Sequence, residues 1–181
     1  MSIESKIKNW QISKFLTNKQ YYFKRSIILK HLSKSLIDNA NYKISIWKGY
    51  KKTPLVRLNK LSKELGLGEV FYKDESKRFH LKSFKALGGA YAVDYISKGN
   101  KNIIVSSATA GNHGRSVAWG AKRLGLKCII FISKNVSEER ARSIKNLGAK
   151  VIRVKGNYEN SLKTCQMQSK KYGWKIIQDV S

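Results

Sequence analysis

The sequence predicts an α/β fold built on an open parallel sheet with helical crossovers, and three observations carry that prediction. First, one boundary occurs three times: Arg123-Leu-Gly-Leu-Lys-Cys-Ile-Ile, Asn146-Leu-Gly-Ala-Lys-Val-Ile and Lys171-Tyr-Gly-Trp-Lys-Ile-Ile. Its glycines, Gly125, Gly148 and Gly173, are 23 and then 25 residues apart. Glycine ends a helix in the left-handed conformation without a Cβ clash. Second, each glycine is followed within two residues by an apolar run, so a strand–helix unit repeats and needs crossover connections. Third, the runs are continuously apolar rather than alternating, as in strands covered on both faces.

The elements follow in order. Residues 3–16 carry Ile3, Ile7, Trp10, Ile12 and Phe15, the pattern of a basic amphipathic helix, and Ser26–Ile37 has Ile27, Ile28, Leu29, Leu32 and Leu36 near helical spacing. The single proline, Pro54, pushes Thr53 towards an extended conformation and opens a short strand at Leu55–Leu58. Leu61–Leu65 reads as a helix closed by Gly66, and Val70–Lys73 as a strand. Phe84–Ile96 is a helix with Phe84, Leu87, Tyr91 and Tyr95 on one face. Strands at Asn102–Ser106, Lys127–Ile132, Lys150–Val154 and Lys175–Gln178 alternate with helices at His113–Leu124, after Ser137, and at Tyr158–Tyr172. The expected division is a helical and extended segment over residues 1–60, belonging to a large domain, and an α/β region over 61–181 that includes most of a small domain.

Composition narrows the function classes. The 181 residues hold 37 Lys plus Arg against 11 Asp plus Glu, a formal net charge of +26. The excess is spread, with +12 over residues 1–60 and +14 over 61–181. Of the basic residues 29 are Lys and only 8 are Arg, whereas bidentate reading of phosphate or guanine favours Arg. The charge therefore reads as a solvated lysine surface. The reading of another class is a non-catalytic basic module that binds nucleic acid or a complementary half-chain. Cys128 and Cys165 are too few for a disulfide framework or a multi-cysteine metal site. No stretch approaches the roughly 18 apolar residues of a transmembrane helix, so a cytoplasmic protein without a membrane partner is expected.

Two segments carry chemistry. In Lys73–Ala92, a strand ends, a polar loop follows, and Ser83 stands where a helix cap belongs. Lys85 then lies in the first turn, where the helix dipole disfavours an ammonium ion and favours a neutral nucleophile. Gly88 and Gly89 follow inside the helix, each costing about 1 kcal/mol relative to Ala, which suggests close approach by another backbone or a ligand. On spacing alone, Lys85 reads first as one more solvated lysine and the glycines as packing residues. The second segment is Ser106–Gly125, a strand running into Ser-Ser-Ala-Thr-Ala-Gly-Asn-His-Gly and then a helix. Ligands bind beyond the carboxyl ends of strands in open α/β sheets, and small residues let backbone N–H groups face an anion there. His113 has no partner that would make it a catalytic base. The ATP phosphate loop and the GxGxxG fingerprint are both absent.

Taken together, Thr53-Pro-Leu-Val-Arg-Leu, the KDESKRF and SFKALGGAYA segments around Lys85, TAGNHGRSVAW from Thr109, and Gly156-Asn157-Tyr158 resemble the diaminopropionate ammonia-lyases. These are fold-type II pyridoxal-phosphate enzymes, and the resemblance runs from about Trp47 to the end. It implies pyridoxal 5'-phosphate as cofactor, with Lys85 as the lysine that holds it in Schiff-base linkage and Asn112 as the hydrogen-bond partner of its ring hydroxyl. Thr109, Gly111 and His113 resemble the turn that receives the carboxylate of a small amino-acid substrate. The implied reaction is α,β-elimination of 2,3-diaminopropionate to pyruvate and ammonia, by a homodimer in the full-length family. One position departs from the pattern: the acid/base aspartate before Gly-Asn-His-Gly is Ala110 here, as in serine/threonine dehydratases, the alternative enzyme reading. The resemblance also implies a truncated form. The glycine-rich loop for the cofactor phosphate and the partner of the pyridine nitrogen have no counterpart in the sequence.

Overall fold

The computed structural model describes residues 32–179. The amphipathic pattern at residues 3–16 and the start of the Ser26–Ile37 helix lie outside the described residues. The first described helix, α1, runs over Lys34–Ser45, eight residues beyond the boundary the spacing suggests, and buries none of its residues.

The described chain falls into two compact units, residues 32–42 with 52–74, and residues 43–51 with 75–179. In the first, strands β1 (Leu55–Arg57) and β2 (Phe71–Lys73) pair antiparallel, with Val56 opposite Tyr72. Helix α2 (Asn59–Glu64) connects them. Ser62 secures the connection: its hydroxyl donates to Leu58 O at 3.0 Å and accepts from the Val70 N–H at 3.0 Å.

The second unit holds a parallel four-stranded sheet in the order β5-β4-β3-β6. Its strands are β3 (Ile104–Ala108), β4 (Lys127–Ser133), β5 (Lys150–Val154) and β6 (Lys175–Ile176). Each connection is a helix: α4 (Asn112–Leu124), α5 (Glu138–Lys145) and α6 (Tyr158–Tyr172). A further helix, α3 (Lys85–Ser97), precedes the sheet and packs on α4. The predicted α/β parallel architecture is therefore present. Strand β3 begins and ends two residues later than the apolar run suggests, because Ser106, Ser107 and Ala108 complete the buried pairing with β4.

Alternation along β4 explains the unbroken apolar runs. Cys128, Ile130 and Ile132 point to one face and pack with Val117, Ala121, Ala141 and Ile144 from α4 and α5. Ile129 and Phe131 point to the other face and meet Cys165 on α6. Both faces are covered over Cys128–Ile132, so none of these positions is free to be polar. The three repeated glycines sit at positive φ, 70° at Gly125, 89° at Gly148 and 70° at Gly173, as the repeat requires. The helix start at Ser137 is capped as the sequence suggests, and the one at Asn157 carries a cap not singled out from the sequence. The Ser137 hydroxyl accepts from the Arg140 N–H, and Asn157 and Asn160 form a reciprocal capping box.

Helix α3 differs from its sequence reading. Phe84 and Tyr95, on the large apolar stripe, are exposed, while Ala86, Gly89, Ala90 and Val93 are buried. The small face is the packing face because α4 comes unusually close. A Cβ at Gly89 would lie 2.9 Å from Ser116 Cβ, and one at Gly120 would lie 2.7 Å from Ala90 Cα. Gly88 is the opposite case, since its Cβ would meet nothing within 4 Å. Gly120→Ala is accordingly expected to lower stability by about 1–3 kcal/mol, because the clash with backbone outweighs the gain in helix propensity. Gly88→Ala is expected to raise it by up to about 1 kcal/mol. Urea unfolding of the two variants checks these opposite signs. The cysteines give a second prediction. Burial pushes the Cys128 thiol up to about 12 and raises Cys165 as well. Neither should react with a thiol reagent near neutral pH until the protein unfolds, which a time course of labelling with and without urea will show.

Candidate active site

The site forms where the sheet reverses direction. From β3 the chain moves outward to β4 and β5, then returns through α6 to place β6 on the other side of β3. The helix leaving β3 and the helix leading into β6 pack on opposite faces of the sheet, so the carboxyl ends of β3 and β6 border a crevice. The Thr109–His113 turn leaves β3 at this edge, and Ile177–Asp179 leaves β6 beside it.

Lys85 reaches this edge from α3. The cap position expected at Ser83 is taken by Phe84, whose side chain makes no cap bond, and the Ser83 hydroxyl one residue earlier accepts from the Lys85 N–H at 3.2 Å. The Lys85 carbonyl accepts from the Ser116 hydroxyl on α4, so the first turn of α3 is tied directly to α4. The preceding loop is backbone-strained: Phe79, His80 and Lys82 have φ of 45°, 59° and 57°. Left-handed conformations cost non-glycine residues of order 1–3 kcal/mol each and persist only when the surroundings impose them. Arg78, at the head of this loop, is held in place. Its guanidinium pairs with Glu75 at 2.8 Å and donates to Lys51 O at 3.1 Å, while Phe79 packs on Trp119 with ring centroids 4.7 Å apart.

The Lys85 side chain is neither buried nor simply solvated. Its Nζ lies 2.8 Å from Asp179 Oδ2, and both side chains are about one-third exposed (37% and 31%). The Lys85 hydrogen bond holds the Asp179 carboxyl below the usual carboxylate range, with further help from the charge of His113. Asp179 was not singled out from the sequence. Its partner is 94 residues away in the chain, and only the return of β6 to β3 brings the two together.

The stretch carrying Asp179 is pinned by the β3 edge. The Ile177 N–H donates to Ser106 O at 2.8 Å, and His113 Nε2–H donates to Ile177 O at 3.2 Å. The His113 ring is buried, so what His113 can offer to a ligand in the turn is its backbone N–H. Gly111 and Asn112 are exposed at the start of α4, and the start of that helix has no side-chain cap bond. Its first N–H groups have no partner within the helix and suit an anion. Asn112 Oδ1 accepts from Arg115 at 3.3 Å, which orients the amide. Thr109 sits at the entry to the turn, its N–H donating to Phe131 O and its hydroxyl accepting from the Gly111 N–H at 3.5 Å.

Pyridoxal phosphate fits the donor set as far as these residues define it. A lysine amine at the start of α3, an exposed amide at the start of α4 and open space at Gly88 would suit an aldehyde, a ring hydroxyl and a flat ring. No cluster of metal-ligating side chains occurs among the described residues.

Comparison with known proteins agrees with this geometry. The family pattern for "Pyridoxal-phosphate dependent enzyme" matches residues 46–181. Diaminopropionate ammonia-lyase of Escherichia coli is 36% identical over 151 residues, covering 74% of this chain and 38% of that protein. A catabolic L-threonine dehydratase of Staphylococcus aureus is 31% identical over 143 residues, covering 79% of this chain and 41% of that protein. The crystal structure of the Escherichia coli ammonia-lyase in complex with an aminoacrylate-PLP azomethine reaction intermediate superposes with a TM-score of 0.76 at 34% identity. It covers 82% of this chain and 42% of that one. The chain thus spans about two fifths of the length of the curated relatives it matches. A match over three quarters of the sequence, a doubly covered parallel sheet and a lysine at its switch point make this chain a member of the pyridoxal-phosphate dependent enzyme family.

Proposed function

We propose that this chain supplies the lysine-bearing part of a pyridoxal-phosphate-dependent ammonia-lyase that eliminates ammonia from 2,3-diaminopropionate and releases pyruvate. The observation that carries this reading is the Lys85–Asp179 pair beside the Thr109–His113 turn. When bound, pyridoxal phosphate supplies the electron sink that draws charge away from the substrate Cα. This chain's residues do the rest. Lys85 Nζ holds the cofactor and is the group that takes the Cα proton of an L-substrate. Asp179 anchors the Lys85 ammonium through Oδ2 and stays ionised across the neutral range, so it fixes where that proton is held. Asn112, turned by Arg115, meets the ring hydroxyl. The Thr109 hydroxyl and the backbone N–H groups of Gly111 and His113 receive the substrate carboxylate at the positive end of α4.

Ala110 favours a second reading, a serine/threonine dehydratase-like elimination of water. A methyl group cannot protonate a leaving amine, so this chain has no second acid/base before Asn112. The two readings share Lys85, Asn112 and the cofactor and differ in the leaving group.

Addition of pyridoxal phosphate to the protein should produce a visible absorption band that Lys85→Ala abolishes and Lys82→Ala retains. Under the ammonia-lyase reading, 2,3-diaminopropionate perturbs the band at concentrations where L-serine and L-threonine do not. A band indifferent to Lys85→Ala overturns both readings, and perturbation by serine and threonine alone overturns the first. A pH prediction follows from Asp179. Its folded pKa is depressed, so the contribution of the Lys85 pairing is fully present above the ordinary aspartate value of about 3.9 and is lost as pH falls through the lower folded value. Carboxyl NMR of the folded protein should show Asp179 titrating below the ordinary aspartate range, and Lys85→Ala should return it towards that range.

A further inference from the structure

A second concavity adjoins the Thr109–His113 turn on the side away from β6, between the start of α4 and the start of α5. It encloses about 530 Å³, within the roughly 300–1,000 Å³ usual for small-molecule sites. Two arginines from different helices line it, Arg115 on α4 and Arg140 on α5, together with Glu139, Asn112, Ser137 and Ser143. Among the described residues neither guanidinium is in an ion pair. Arg115 Nε is buried without a hydrogen-bond partner, and a buried unmet donor calls for an explanation. The two glutamates that open α5 are used differently. Glu138 pairs with Arg153, whereas Glu139 faces the concavity.

We propose that this concavity is a binding site for an amino dicarboxylate that shares Gly111 and Asn112 with the Lys85 site but does not include Lys85. Two guanidinium groups match two carboxylates, for which planar bidentate pairing is the favoured geometry. Glu139 matches the ammonium group. The three charged side chains sum to +1, which complements the net −1 of an acidic amino acid at neutral pH. Ser137 and Ser143 add hydroxyl groups at the rim. The site is linked to the turn, since Arg115 is also the donor to Asn112 Oδ1. A carboxylate drawn to Arg115 competes with that contact and frees the Asn112 amide. Glu139 and Arg140 have no role in the Lys85 site, whereas Gly111, Asn112 and Arg115 belong to both, so the variants at Glu139 and Arg140 test this site separately from the cofactor reading.

Calorimetric titration of the full chain without added pyridoxal phosphate tests the proposal, with L-aspartate and L-glutamate as probes. Saturable one-to-one binding is expected for at least one of them. Arg140→Gln should weaken it roughly tenfold or more, the usual consequence of losing a hydrogen bond to a charged group. Glu139→Gln should weaken the amino acid but not succinate, and Lys85→Ala should leave binding unchanged. The proposal is overturned if Arg140→Gln binds as the parent does, which is the signature of diffuse attraction to a lysine-rich surface. It is equally overturned if succinate or inorganic phosphate binds as tightly as both amino dicarboxylates, or if Lys85→Ala abolishes binding.

Discussion

The site depends on how closely α3 approaches α4. At Gly89 and Gly120 the two helices have no Cβ between them, and Ser116 uses the space to donate to the Lys85 carbonyl. Because that bond falls on the residue whose side chain carries the amine, the start of α3 cannot shift without moving α4. Helix α4 in turn begins with the Gly111-Asn112-His113 turn. Lysine and turn are therefore set by one packing contact rather than by two loops adjusting independently. The strained Phe79–Lys82 segment belongs to the same constraint. It leads directly into α3, and the Arg78–Glu75 pair and the Trp47–Phe79–Trp119 cluster are the contacts available to offset its strain.

The sheet supplies the second half of the site. Its reversal at β3 puts Asp179 within hydrogen-bond reach of a lysine that precedes the sheet altogether. An enzyme that moves a proton with a single lysine needs that amine in a fixed place and a counter-charge that does not wander. Asp179 provides the counter-charge, and the Ile177 and His113 bonds keep it at the edge. The high net charge takes no part in this arrangement. At the site the charges that count are one lysine against one aspartate, and none of the five ion pairs among the described residues needs the surplus lysines.

Much of this fold was legible in the sequence because its signals were local. The Gly125, Gly148 and Gly173 boundaries announce helix ends wherever they occur, and Ser137 announces a helix start. The segments around Lys85 and Asn112 were legible as motifs in the right order, and the structure puts each residue at the start of a helix. Three things were not legible, each for a physical reason. The packing face of α3 was misread because apolar stripes are weighed by size, whereas close helix contact selects the smallest residues. The left-handed conformations at Phe79, His80 and Lys82 have no sequence mark, since such positions usually carry glycine or asparagine. The Lys85–Asp179 pair depends on strand order, which periodicity does not encode. The two-arginine concavity escaped for the same reason, as Arg115 and Arg140 come together only when α4 and α5 lie side by side.

We propose that Lys85, alone among 29 lysines, holds the cofactor. Borohydride reduction after incubation with pyridoxal phosphate, followed by peptide mapping, tests it most directly. The structure predicts a single dominant pyridoxyl adduct on Lys85, with surface lysines modified only at large excess of reagent. An adduct distribution spread over exposed lysines, with Lys85 no more modified than its neighbours Lys77 and Lys82, would contradict it.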